Sequence, residues 1–287
     1  MYGPNPTNSH QGTSAELARP VNIPPRPALL IALQREIAHE DPSIRRIVTL
    51  VERDAAIAGN LLAISNSAMF NLNRHIENVQ DAITLIGLNN SNAVITRLMV
   101  RRSLAHGRMM MPRFWDVSEK RSWGMMYVAR QASNIAPELA YNFGLFCDIG
   151  IPLMMASFMD YADTLTVANQ LEHRGFIELE NSRHRINHAL VGAMLAEHWH
   201  ADPRVVLAIK KHHSYEVMSD HSFASEVREL IAIFCVVDQA IQQHRHAVSI
   251  EWLEGGEMAT ETLGLTTAEV DALCQNLKEK FLMPNAA

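Results

Sequence analysis

The stretch YNFGLFCDIGIPLMMASFM, residues 141–159, decides how this chain folds. It is apolar on most sides of a helical wheel, and such a helix belongs in the middle of a bundle rather than on its surface. One acidic residue, Asp148, interrupts it, with Cys147 before it and Gly150 two positions after. A carboxylate among Phe146, Ile149, Ile151 and Leu153 is costly unless it is ion-paired, hydrogen-bonded or bound to a metal. Two readings stay open at this point: a metal ligand, or a carboxylate at a surface edge or capping a neighbouring helix.

Outward from that stretch the apolar period is helical. In DPSIRRIVTLVERD, Ile44, Ile47, Val48 and Val51 fall at i, i+3, i+4 and i+7, with Asp41 expected as N-cap. AAIAGNLLAISNSAMF reads as a second helix, and VQDAITLIG as a third that stops at Gly87. Asn89–Leu104 reads as a fourth, with Val94, Ile95, Leu98 and Val100 apolar and Arg97, Arg101 and Arg102 towards solvent. FWDVSEKRSWGMMYVARQASNIA gives a longer helix before the central stretch. Residues 161–171, NHALVGAMLAEHW, PRVVLAIKKHH and SEVRELIAIFCVVDQAIQQ follow it, and TTAEVDALCQNLKEKF ends the series after a Thr266 cap. Sustained two-residue alternation is absent, so the fold class is all-α, a helical bundle without an evident repeat. Residues 1–22, rich in Pro, Ser, Thr, Asn and Gly, predict a disordered tail, and the fold is expected to begin near Pro27.

Composition narrows the function classes. The 287 residues are 48% apolar, and 31 acidic against 25 basic side chains give a formal charge of −6, so the chain as a whole does not attract a polyanion. Arg97, Arg101, Arg102, Arg108 and Arg113 concentrate positive charge locally, either as a phosphate-contacting surface or as a solvated helix face. No helix-turn-helix or aromatic-interleaved pattern accompanies them, and nucleic acid is not an expected partner. Cys147, Cys235 and Cys274 lie far apart among apolar neighbours with no C-x-x-C pair, which predicts a reduced, cytoplasmic protein. The N-terminal residues lack a signal-peptide core, and the best membrane candidate, GLFCDIGIPLMMASFM, is short and carries Asp148.

Histidine is abundant, at 14 residues, but none stands between His106 and His173, so the two central helices bring no imidazole. His184, His188, His198 and His200 lie on or beside one later helix. His212 and His213 close the next, where they can ligate a metal or meet the helix's last carbonyls. Asp238 in FCVVDQAI repeats the setting of Asp148. There is no G-x-S-x-G and no G-x-G-x-x-G, and an apolar setting raises the pKa of Cys147 rather than lowering it.

Read in order, several of these pieces resemble the HDOD domain, a catalytically degenerate relative of the HD-type metal-dependent phosphohydrolases. They are IPPRPALLIAL, DPSIRRIVTLVERDAAIAGNLLAISNSAMF with its Asn66–Ser67 pair, IENVQDAITLIGLNN, FWDVSEKRSWGMMYVARQAS, GLFCDIGIPLMM, NHALVGAMLAEHWHADPRVVLAIKKHH and FCVVDQAI. The resemblance implies a bundle of the HD-domain/phosphodiesterase-like type with an additional N-terminal helical half. Its implied boundaries are 23–245, divided at 110, followed by a C-terminal helical extension over 246–287. In the HD superfamily the metals sit on an early histidine, a His-Asp pair, later histidines and a final aspartate. Here the early histidine position falls near Met125 or Met126, the pair is Cys147-Asp148, and a lysine that often follows is Ile151. His188, His212 or His213, and Asp238 match the later ligands.

With two imidazoles gone, the resemblance implies a vestigial pocket of Cys147, Asp148, His188, His212, His213 and Asp238, with no catalytic residue, no bound metal and no cofactor. It implies a non-catalytic signal-transduction module in bacteria, acting on signalling proteins such as those with receiver, diguanylate cyclase or phosphodiesterase domains. No such module is expected within the chain itself. Two alternatives stand beside it: an altered-site HD-type phosphohydrolase or phosphodiesterase, and a nucleotide sensor using the pocket. The amphipathic stripes of VQDAITLIG and TTAEVDALCQNLKEKF are expected to serve core packing and leave room for a homodimer.

Overall fold

Side-chain caps and glycine stops set the helix ends in the N-terminal part. A computed structural model of the chain describes residues 21–66, 75–104, 111–170 and 175–282. The chain is all-α, and no strand occurs among the described residues. The expected tail, save Val21 and Asn22, lies outside them, as do Ser67 and Arg108.

The first group of helices is α1 (Ala28–Ile37), α2 (Ile44–Glu52), α3 (Ala55–Ser65), α4 (Val79–Ile86) and α5 (Leu88–Leu104). Ser43, rather than Asp41, caps α2 by accepting a hydrogen bond from the Arg46 backbone N–H at 3.4 Å. The helix begins two residues later than a cap at Asp41 would allow. Asp54 caps α3 through the Ala56 and Ile57 amides, and Asn78 caps α4 through the Asp81 amide. Gly87 ends α4 with φ 86°, a left-handed backbone open to glycine at little cost, and α5 starts at the next residue. The apolar stripes Ile47 and Val51, Ile57 and Leu61, and Val79, Ile83 and Ile86 are buried together. Arg97 departs from its expected solvent-facing place: it is buried, and its guanidinium pairs with Glu119 at 2.8 Å. Burial alone would lower its pKa, but Tyr141 and Glu119 beside it raise it.

The second group opens with α6 (Pro112–Ala132), α7 (Pro137–Phe146) and α8 (Gly150–Ser157). Residues 141–159, expected as one helix, are broken by a turn at 147–149. Two glycines explain its path. A Cβ on Gly144 would lie 2.9 Å from the Ser122 Cα, so α7 crosses α6 in close backbone contact. A Cβ on Gly150 would lie 2.0 Å from the His188 carbonyl oxygen, so the start of α8 is pressed against the start of a later helix. A straight helix could not hold both contacts.

The remaining helices are α9 (Tyr161–Ala168), α10 (Gly175–His184), α11 (His188–His198), α12 (Pro203–Lys211), α13 (Ser225–His244), α14 (Ile250–Leu263) and α15 (Thr267–Leu282), with a 3-10 turn at Tyr215–Met218. Helix α13 is the axis of this half, buried continuously from Leu230 to Asp238 and packed by α6, α7, α12, α14 and α15. Thr266 starts α15 as expected, through a reciprocal box with Glu269. By length and composition 137–157 could cross a membrane, yet 67% of its most apolar window is buried inside the molecule, which is the condition of a core segment.

Candidate functional site

The α7–α8 turn delivers Asp148 to a point where α6, α11 and α12 converge. From α6 comes a residue not anticipated from the sequence: Arg121, whose Nη1 donates to Asp148 Oδ2 at 2.6 Å and whose Nη2 stands 3.7 Å from Asp238 Oδ1. Its guanidinium also lies over the Phe234 ring at 5.3 Å and donates to Cys147 Sγ at 3.4 Å. A signal for it was present. Arg121 shares a helix face with Val117, Met125 and Val128, one cation on an apolar stripe, and two apolar-flanked aspartates require a counter-charge.

The other oxygen of Asp148 faces histidines. Oδ1 lies 3.6 Å from His188 Nε2 and 3.4 Å from His212 Nε2, and His188 Nε2 lies 3.0 Å from His213 Nε2. Asp148, His188, His212 and His213 each offer one donor atom within 4.8 Å of the others. Each ring is held from behind. His188 Nδ1 bonds Glu180 Oε2 at 2.7 Å, His212 Nδ1 bonds the Ile209 carbonyl at 2.6 Å, and His213 Nδ1 lies 3.4 Å from Glu251 Oε1. Glu180 and Glu251 were also not anticipated, since neither belongs to a motif. Glu180 is fixed in turn by the Tyr161 hydroxyl and the His188 amide.

The electrostatics follow from these contacts. Burial would raise the pKa of Asp148, but Arg121 foremost, with His212 and His188, holds it well below the usual carboxylate range. Asp238 differs: burial pushes it up, more than Arg121, Ser249 and Gln242 pull it down. Its oxygens accept from Ser249 Oγ at 2.7 Å and Gln242 Nε2 at 3.4 Å. His212 is lowered to about 4 by burial and by neighbouring His213. Burial would likewise lower His213, but Glu251 raises it. Burial pushes the Cys147 thiol up to about 12, which removes it as a nucleophile at neutral pH.

The six residues of the expected pocket therefore divide. Asp148, His188, His212 and His213 meet, Cys147 lies fully buried behind Arg121, and Asp238 is tied to Arg121, Ser249 and Gln242. Met125 and Met126, where an early histidine would stand, are buried in the core. A binuclear metal centre does not fit the Asp148–Asp238 side, because a guanidinium stands between the carboxylates and no imidazole reaches them from α6. The histidine side does fit one ion. A cleft of about 980 Å³ opens on the centre and is lined by Arg121, Asp148, Ile151, His213, Asp238 and Glu251 among others.

The fold is shared with known proteins. An uncharacterized protein of Treponema pallidum is 24% identical over 194 residues, 67% of this chain; the match spans only 38% of that relative's length. Among solved structures, an HDOD domain protein of unknown function from Geobacter sulfurreducens superposes with TM-score 0.69 at 18% identity, covering 91% of this chain and 92% of the other. A protein from Shewanella amazonensis, provisionally named a phosphohydrolase, superposes with TM-score 0.68 at 17% identity, covering 93% and 91%. The sequence pattern of the HDOD domain matches residues 23–215, and the chain belongs to the HDOD domain family.

Proposed function

We propose that this chain is a non-hydrolytic regulatory module of signal transduction that acts by binding a signalling protein. The observation that carries the reading is Arg121, placed between Asp148 and Asp238. A guanidinium neutralises two carboxylates, but it has no open coordination position and cannot generate a metal-bound hydroxide as a hydrolytic ion does. The Cys147 thiol offers no substitute nucleophile. Membership of the HDOD family and the lack of any other catalytic motif in the sequence support the same reading. Partners of the expected kind carry receiver, diguanylate cyclase or phosphodiesterase domains.

The test has two arms. The full chain, supplied in turn with Mn2+, Zn2+ and Fe2+, is assayed on bis-p-nitrophenyl phosphate and on cyclic dinucleotides; no turnover above buffer is expected. Turnover abolished by Asp148→Ala would overturn the reading. In the second arm, partners crosslinked to the chain in lysate are purified and recombined with it, and a change in the partner's own signalling activity is expected.

A further inference from the structure

We propose that Asp148, His188, His212 and His213 form a one-ion centre for a divalent transition ion of the zinc class, with the Arg121 guanidinium in the place a second ion would take. The proposal goes beyond the regulatory reading and does not depend on it.

Three observations carry it. The first is tautomeric. His188 and His212 direct Nδ1 to Glu180 and to the Ile209 carbonyl, so Nδ1 carries the proton and Nε2 presents a lone pair to the common point. Backing of this kind, a carboxylate or carbonyl behind each imidazole, is how metal-bound histidines are oriented.

The second is that one converging atom has no hydrogen-bond partner within the protein. His212 Nε2 is fully buried and makes no hydrogen bond, although it faces the acceptor Asp148 Oδ1 at 3.4 Å. The His188 and His213 Nε2 atoms lie 3.0 Å apart. A proton on His213 Nε2 donated to His188, or an ion bonded to both atoms, accounts for that spacing.

The third is distance. A tetrahedral ion with bonds of about 2.0–2.1 Å requires its donors about 3.3 Å apart. The separations along the chain of contacts from His213 through His188 and Asp148 to His212 are 3.0, 3.6 and 3.4 Å, and all four donor atoms lie within 4.8 Å of one another, so the farther pairs would draw inward on binding an ion. Three imidazoles and a carboxylate suit zinc. Four protein donors close its tetrahedron and leave no position for water, which makes the ion structural. It would tie the α7–α8 turn to α11 and to the end of α12. Arg121 completes the centre by holding the second oxygen of Asp148 and balancing Asp238, where a binuclear enzyme would keep its other metal.

The test is elemental analysis of the full chain purified without chelator, then of metal-free chain reloaded with Zn2+ alone. One zinc per chain is expected, as is a Tm that falls on dipicolinate treatment and recovers with Zn2+. Co2+ in its place should give the intense visible absorption of a tetrahedral site. His213→Asn, at the cleft wall, should lose the ion while keeping its helical circular dichroism, and Asp238→Asn should keep one ion. No zinc, no cobalt spectrum and no Tm shift on adding either metal would overturn the centre. Two ions per chain, one of them lost in Asp238→Asn, would overturn the role given to Arg121. A one-zinc chain that hydrolyses phosphodiesters would overturn both the closed, structural coordination given to the ion and the regulatory reading.

Discussion

At the scale of single residues, the centre depends on a few side chains whose neighbours leave no substitute. Removing Arg121 strands Asp148 and leaves Asp238 without its cation; breaking a buried ion pair from one side costs about 3–5 kcal/mol. Arg121→Leu is therefore expected to lower the urea midpoint by that equivalent, while Asp238→Asn, whose single amide oxygen still accepts from Ser249, costs less. Gly150→Ala places a methyl group against the His188 carbonyl and is expected to destabilise by about 3 kcal/mol, read from the same denaturation curve. Cys147, Cys235 and Cys274 are all buried, with thiol pKa values raised by burial. None should react with iodoacetamide at pH 8 in the native state, and all three should react in guanidinium, as counted by intact mass. Asp148 and Asp238 could be picked out in the sequence because each is a lone charge in an apolar run. Arg121 carried the same signal on its stripe, but the partner that explains it is 27 residues away in one case and more than 100 in the other.

At the scale of elements, local chemistry predicted much. The period-3.6 stripes, the stop at Gly87 and the Thr266 cap all correspond to helices or helix ends in the structure. The misplacements were also local in origin. Asp41 and Ser43 are both good caps, and only the backbone chooses between them. The break at 147–149 is followed at once by Gly150 and Pro152, a local signal for a helix restart that the apolar period masks, and the close approach of α8 to α11 fixes its path. Ser249 shows an element end joined to the site: its hydroxyl accepts from the Trp252 amide at the start of α14 and donates to Asp238. Ser249→Ala is expected to cost about 1–2 kcal/mol by thermal unfolding, the upper part of the range for a lost N-cap. Ser249→Asn, which still caps, should recover part of that.

At the scale of the whole molecule, α13 is enclosed by helices from both sides of the sequence, and α15 supplies the last of them. Val270, Leu273, Cys274 and Leu277 of α15 are buried, and large apolar side chains of this kind contribute roughly 1.5–3 kcal/mol each. Truncation after Gly264 should uncover that face of α13, and a broadened melt with oligomers on size exclusion is expected. The same stripe and that of α4 face inward, as core packing requires. The sequence by itself determined the all-helical class, the position of most helices and the family, because these depend on periodicity and on motif order along the chain. Tertiary structure alone decided that Asp148 turns one oxygen to Arg121 and the other to three imidazoles, and that Asp238 stands apart. Those pairings join residues from separate helices, and their distances are set by backbone approaches at Gly144 and Gly150 that no local pattern encodes.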